Sequence, residues 1–301
     1  MKGRFILPFF EIEQQQTAKI KRLHTENLNS ALIRGKMANY ISLYSGSSGN
    51  CSVIEQNGKF ILIDIGKSAR ITTNAIKDIG LDIKNLQGVL ISHEHSDHVS
   101  GLKVFLKKLD VPVYSNCATL DYLADYDLVP AHIRLEDMNF AGHNIGDFFV
   151  TGFDTPHDSV GCMGFNIHTQ NGTRMTMATD LGCVTDNILS QFMGADLAVI
   201  ESNYDEMMLR ENENYPYYLK NRIASNRGHL SNIQCSNAAV QLIDNGVKKL
   251  HLCHLSNNNN TPSTALSQLA VTAMTRGIDL TKDMEVVRAN RRHEITAATE
   301  F

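Results

Sequence analysis

A chain of 301 residues, 43% apolar and 20% charged, has an ordinary globular composition and is long enough to bury a substantial core. Its 28 Lys and Arg against 32 Asp and Glu leave a net charge of −4, and −8 without residues 1–36, an acidic balance that argues mildly against tight nonspecific nucleic-acid binding. No apolar run approaches the length of a membrane span. Six scattered cysteines (Cys51, Cys117, Cys162, Cys183, Cys235, Cys253) form no C-x-x-C pair, as expected of reduced thiols in a cytoplasmic protein.

Residues 1–36 carry seven Lys/Arg against three Asp/Glu, a net of +4, whereas the remainder has 21 against 29, a net of −8. Phe5–Phe10 is too short, and too soon followed by Glu11 and Glu13, for a signal peptide. Met37 stands just before the first clear strand. Residues 1–36 are therefore read as an N-terminal extension, disordered or appended, and 37–301 as the working domain. A helix over Thr17–Ile33 packed on the core fits the pattern equally.

From Asn39 the pattern is β-rich. Strands are predicted over Tyr40–Tyr44, Cys51–Glu55 and Phe60–Asp64, with a hairpin turn at Asn57-Gly58. The small-residue loop Ser45-Gly-Ser-Ser-Gly-Asn50 is either a plain turn or a place where backbone amides approach an anion. Asp64 is either a turn former or a carboxylate supporting a nearby site. Thr72–Ile79 is weakly helical. The apolar run Gly88–Ile91 reads as a short buried strand, and it ends in Ser92-His-Glu-His-Ser-Asp-His98.

Three imidazoles and a carboxylate within six residues suit zinc or a similar divalent ion. Alternation along an extended segment lets His93 and His95 converge on one ion, while Asp97 and His98 point elsewhere and can hold a second. An amphipathic helix follows, with Leu102, Phe105, Leu106 and Leu109 on one face and Lys103, Lys107 and Lys108 on the other. Beyond it the chain alternates. Strands are predicted at Val111–Tyr114, Phe148–Phe153, Gly164–His168, Arg174–Ala178, Leu197–Ile200, Leu250–Cys253 and Glu285–Val287. Helices are predicted at Thr119–Leu128, Asp186–Met193, Asn232–Asp244 and Pro262–Arg276. This order implies sheets covered by helices, a layered α/β domain without internal repeats.

Four further titratable residues stand just after predicted strands: His157, Asp180, Glu201 and His254. Loops at strand ends are where such scaffolds place their chemistry. Together with the histidine cluster they supply enough ligands for two ions.

Ser92–His98, Thr-Pro-His157, Thr-Asp180 and Cys-His254 resemble the motifs of the metallo-β-lactamase fold, a four-layer αββα sandwich. Tyr44–Asn50, Ile63–Gly66, Glu201-Ser-Asn-Tyr-Asp205, Arg227-Gly-His-Leu-Ser-Asn232 and His254–Asn260 look like the YycJ/WalJ family, bacterial cytoplasmic hydrolases described as 5′→3′ exonucleases on duplex DNA. The resemblance covers about residues 39–290. It implies one metal on His93, His95 and His157, a second on Asp97, His98 and His254, and Asp180 bridging them; zinc, manganese and iron all accept such ligands. It also implies a catalytic set of Asp97, Glu201 and His229, with His229 assisting the leaving group. Leu230 between His229 and Ser231 departs from the tighter spacing of the related transfer-RNA processing enzymes.

The expected activity is thus a binuclear phosphodiesterase or nuclease with DNA as partner. Two other readings compete: a small-molecule phosphodiester, thioester or lactone hydrolase on the same fold, and a non-catalytic metal-stabilised module. A di-iron redox protein is disfavoured because His95 stands where such relatives carry glutamate. The segment Asn203–Ser225, with Tyr215, Tyr217 and Tyr218, is either a substrate-shaping lid or simple packing.

Overall fold

The computed structural model describes residues 37–138, 142–280, 285–288, 295–296 and 298–301; the N-terminal extension 1–36, and the expectations attached to it, lie outside the described residues. Strand β3 (Lys59–Ile63) shows how the layers arise. Phe60 and Leu62 pack to one side and Ile61 and Ile63 to the other, as strand alternation requires of a strand buried on both faces.

Two seven-stranded sheets result. The first runs β14 (Thr299–Glu300), β1 (Asn39–Tyr44), β2 (Cys51–Gln56), β3, β4 (Leu86–Leu90), β5 (Val113–Ser115) and β6 (Leu135–Asp137). The second runs β13 (Glu285–Arg288), β12 (Lys249–Cys253), β11 (Leu197–Glu201), β10 (Arg174–Ala178), β9 (Met163–Thr169), β8 (Phe148–Asp154) and β7 (His143–Ile145). Three apolar clusters fill the three gaps of a four-layer sandwich. Leu62, Val89 and Val113 meet the helices α1 (Ala69–Asp78), α3 (Leu102–Leu106) and α4 (Cys117–Asp125). Ile61, Leu90, Phe165 and Val199 interlock between the sheets. Ala198, Ile200 and Leu250 meet α5 (Asp186–Phe192), α8 (Asn232–Asp244) and α9 (Pro262–Thr275). The expected αββα architecture is the one observed.

Strands β3 to β6 are mutually parallel, as are β10 to β13. Their carboxyl ends therefore line one edge of the sandwich, and the loops leaving them carry the site. The β2–β3 turn has the predicted form: Asn57 and Gly58 both have positive φ (54° and 79°), and Gln56 pairs with Lys59. The helix expected through Leu109 stops at Leu106, where tighter Lys107–Val104 and Leu109–Leu106 bonds replace the helical ones. Strands β6, β7 and β14 were not foreseen, because two or three residues are too few for alternation to show.

One buried histidine has a thermodynamic consequence. His251 of β12 is fully buried edge-on to Tyr40, with ring centroids 4.9 Å apart, and neither ring nitrogen has a hydrogen-bond partner. Burial lowers its pKa from 6.5 to about 3. Below pH 6.5 the unfolded chain therefore binds a proton that the native state refuses, and stability falls until about pH 3. That loss should reach roughly 2 kcal/mol over the first one and a half pH units. His251→Leu should flatten this acid limb in denaturant titrations. An unchanged limb would show that other groups set it.

Candidate metal centre

The site is assembled from both sheets. After β4 the chain turns through His93 and His95 into the single-turn helix α2 (Ser96–Val99), which carries Asp97 and His98. A Cβ on Gly66 would lie 1.7 Å from the Asp97 carbonyl oxygen, so only glycine lets the β3 loop pass so close. There Asn50 donates its amide to Asp97 O (2.7 Å) and Ile65 donates to His98 O (2.7 Å). The second sheet delivers His157, Asp180, Glu201 and His254 from the loops or ends of β8, β10, β11 and β12.

Asp64, Asp180 and His254 adopt positive φ (62°, 56° and 54°). Asp64 and His254 directly follow a strand and Asp180 stands one residue further on, each in a left-handed conformation that non-glycine residues adopt at an energetic cost.

The ligand atoms of His93, His95 and His157 lie within 4.8 Å of one another, as do those of Asp97, His98 and His254. Asp180 sits between the two groups: Oδ2 is 3.3 Å from His98 Nε2, and Oδ1 is 3.6 Å from His254 Nε2 and 3.8 Å from His157 Nε2. The seven residues expected as ligands thus share one place. Three buried atoms there, His93 Nε2, Asp180 Oδ2 and His254 Nε2, have no hydrogen-bond partner. Convergent buried atoms left without partners in a set of imidazoles and carboxylates are what divalent cations satisfy, so the residues fit such ions.

Their supports are equally specific. Asp64 Oδ2 accepts from His98 Nδ1 (2.7 Å) while Oδ1 accepts from the Ser92 amide (2.8 Å), which settles its role as a support. His157 Nδ1 donates to Gly228 O (3.0 Å). Each bond leaves the opposite ring nitrogen facing the centre. Glu201 serves two rings: Oε1 accepts from His254 Nδ1 (2.7 Å) and His229 Nδ1 (2.8 Å), and Oε2 accepts from the amides of Leu181 (2.9 Å) and Leu230 (3.0 Å). Leu230, the departure noted in the sequence, buries its side chain among Ile200 and Cys235 and aims its amide at Glu201. Ser231 then caps α8 in a capping box with Gln234.

The electrostatics favour positive charge. Burial opposes an imidazolium at His254, yet Asp180, Asp97 and Glu201 override it and hold its pKa at about 10. His98 is likewise raised well above 6.5 against its own burial, by Asp64, Asp180 and Asp97. Burial would raise Glu201, but His229 and His254 bring it down to about 2. The pocket thus holds positive charge at His98 and His254, while burial keeps the rings of His93 and His157 below their ordinary pKa and so in the neutral form a metal needs.

The sequence did not announce Asn50, whose Nδ2 is 3.0 Å from His98 Nε2, or Asn203, which donates to His254 O (2.9 Å). Neutral amides carry no signal of their own. The Ser45–Asn50 loop spends amides internally: Gly46 donates to Asn50 Oδ1 (2.8 Å) and Gly49 to Gly46 O (2.9 Å). Those two amides make it a turn, and Ser47 lines the cavity above the ligands.

Comparison with known proteins fits this geometry. Residues 59–255 match the model of the Beta-lactamase superfamily domain. Over 245 residues the chain is 32% identical to exodeoxyribonuclease YycJ of Bacillus anthracis, covering 81% of this chain and 92% of the relative. The chain belongs to the YycJ/WalJ family. Exodeoxyribonuclease WalJ of Streptococcus pneumoniae serotype 2 is 33% identical over 250 residues, covering 80% and 91%. Among solved structures, the metallo-β-lactamase-fold protein YhfI of Bacillus subtilis superposes with a TM-score of 0.65 at 15% identity, over 88% of this chain and all of that one. Zinc-bound PqqB of Methylobacterium extorquens also gives 0.65 at 15%, over 87% and 100%. These two establish the fold. As a member of the YycJ/WalJ family the chain is a metal-dependent hydrolase acting on ester bonds. Among the described residues no helix is long and apolar enough to cross a membrane.

Proposed function

We propose that this protein is a two-metal exonuclease acting on DNA in the cytoplasm. The observation that carries the reading is the Glu201–His229 pair. His229 is not needed to complete either ligand set, yet it lines the same cavity as Asp97, Asp180 and His254 and has its Nδ1 fixed by a buried carboxylate. A thioester hydrolase has less need of a second proton donor than an enzyme expelling an alkoxide from phosphorus. The names of the two curated relatives and the six unpaired cysteines, which suit a reducing compartment, support the same reading.

His93, His95 and His157 would hold one ion, Asp97, His98 and His254 the other, and Asp180 would join them; zinc or manganese suits these ligands best, and iron is also compatible. Such a pair supplies a water of lowered pKa and positive charge facing the phosphoryl oxygens. The chain's own residues do the rest. Asp64, Gly228 O and Glu201 hold His98, His157 and His254 in the tautomers that present Nε2 to the centre. Burial would discharge His229, but Glu201 keeps its pKa raised, so Nε2 carries a proton to the leaving oxygen. Asp97, which belongs to a ligand set and lines the cavity, keeps its carboxylate ionised: burial opposes this, and His98 and His254 outweigh it.

The test is a matrix of manganese, zinc or no metal against 5′-phosphorylated duplex DNA, single-stranded DNA, RNA and bis(4-nitrophenyl) phosphate. Metal-dependent release of mononucleotides from DNA is expected. Turnover of the chromogenic diester alone would assign a small-molecule phosphodiesterase, and a bound metal without turnover of any substrate would leave an interaction module.

A further inference from the structure

Two short helices, α6 (Glu206–Glu211) and α7 (Tyr217–Ile223), follow β11, and α7 walls the cavity. Helix α7 buries none of its residues, so it contributes little to any core. Leu219, Arg222 and Ile223, one face of that helix, nevertheless line the cavity of about 210 Å³ above the ligands, and Tyr215 joins them. The helix is tied to the reacting centre by its end, because the His229 amide donates to Ile223 O (2.8 Å). Beside this face Tyr217 and Tyr218 project into solvent at 79% and 75% exposure. Large aromatic rings this exposed at the mouth of a site are surfaces for a partner, since folding gains nothing from them there.

The charge around them is distinctive. Residues 214–243 contain no Asp or Glu and carry Lys220, Arg222 and Arg227, in a domain whose residues 37–301 sum to −8. Each cation is anchored near the mouth and keeps further donors: Lys220 bonds Arg210 O (2.6 Å), Arg222 pairs with Asp158, and Arg227 donates twice to His157 O (3.0 and 2.8 Å).

We propose that α7 is a landing platform for the single-stranded end of a nucleic-acid substrate, with one base on the Tyr218 ring at the rim, the next on Tyr217, and the phosphates beside Lys220, Arg222 and Arg227. The inference rests on the nuclease reading above and adds how the strand is gripped. Stacking needs an unpaired base, because base faces are covered within a duplex, and aromatic rings interleaved with cations are how non-specific strand binding is built. Successive residues point about 100° apart around a helix. Tyr218, one turn before the cavity-lining Arg222, therefore flanks the mouth, and Tyr217 lies farther out.

Tyr218→Ala should raise KM about 5- to 100-fold for 5′-phosphorylated DNA with a single-stranded end, assayed with manganese. Tyr217→Ala should raise it less, and Tyr218→Phe should match wild type because the ring face does the work. Turnover of bis(4-nitrophenyl) phosphate, metal content and melting temperature should stay unchanged in all three. Equal losses on both substrates, or unchanged KM on DNA in Tyr218→Ala, would overturn the platform while wild-type cleavage of DNA left the nuclease reading standing. A wild-type enzyme that hydrolyses the small diester and no nucleic acid would overturn both. If Tyr217→Ala and Tyr218→Ala abolished self-association without touching KM, the face would belong to a second copy of the chain and the platform would be refuted.

Discussion

His229→Ala is expected to keep its fold and its metal while losing about 10²–10⁴-fold in rate on DNA. The His229 ring makes one strong bond, to Glu201, and belongs to neither ligand set. Its removal therefore takes away a proton without opening an ion's shell. A substrate with a better leaving group, such as a 4-nitrophenyl ester, should recover much of the loss. Asp180→Ala should behave differently. That carboxylate lies within 3.3–3.8 Å of ring nitrogens from both ligand sets, so its loss should release metal and abolish turnover on every substrate. Metal content by mass spectrometry and rates on two leaving groups distinguish the cases. Loss of metal in His229→Ala would make it a ligand, and equal losses with both leaving groups would remove the acid role.

Glu201→Ala should be the more damaging change to the fold. Glu201 is fully buried and accepts four bonds: two from rings, two from the Leu181 and Leu230 amides. Alanine would leave two buried N–H groups without an acceptor and two imidazoles without orientation. A loss of about 2–5 kcal/mol is expected, together with activity at or below that of His229→Ala. Glu201→Gln should rescue little, because its amide would present hydrogens where donors already point. Urea titration and metal content of both variants provide the measurement. A Glu201→Ala protein as stable as wild type would mean that water replaces the carboxylate, and the shared-support account would fail.

The layers and most of the ligands were legible in the chain because both signals are local. His93, His95, Asp97 and His98 stand side by side, and His157, Asp180, Glu201 and His254 each follow a readable apolar strand. What bonds to them was not legible. That Glu201 orients His254 as well as His229 depends on β11 lying next to β12, with Glu201 opposite Cys253, a register no local pattern reveals. Gly228 O supports His157 across 71 residues and has no side chain to advertise it. Helices α6 and α7 escaped for another reason: six or seven residues with one apolar side chain buried between them give no amphipathic stripe to read.

The left-handed turns at Asp64, Asp180 and His254 narrow what can stand there. Backbone comfort at such a φ ranks glycine first, then asparagine and aspartate, and places β-branched residues last. Chemistry at the same three positions demands a carboxylate or an imidazole. The two vocabularies share aspartate and histidine, the residue types that stand there. Glycine at any of them would relax the chain and silence the site. At Asp64 that relief would strand the Ser92 amide and His98 Nδ1 without their acceptor, so hardiness and activity would be lost together.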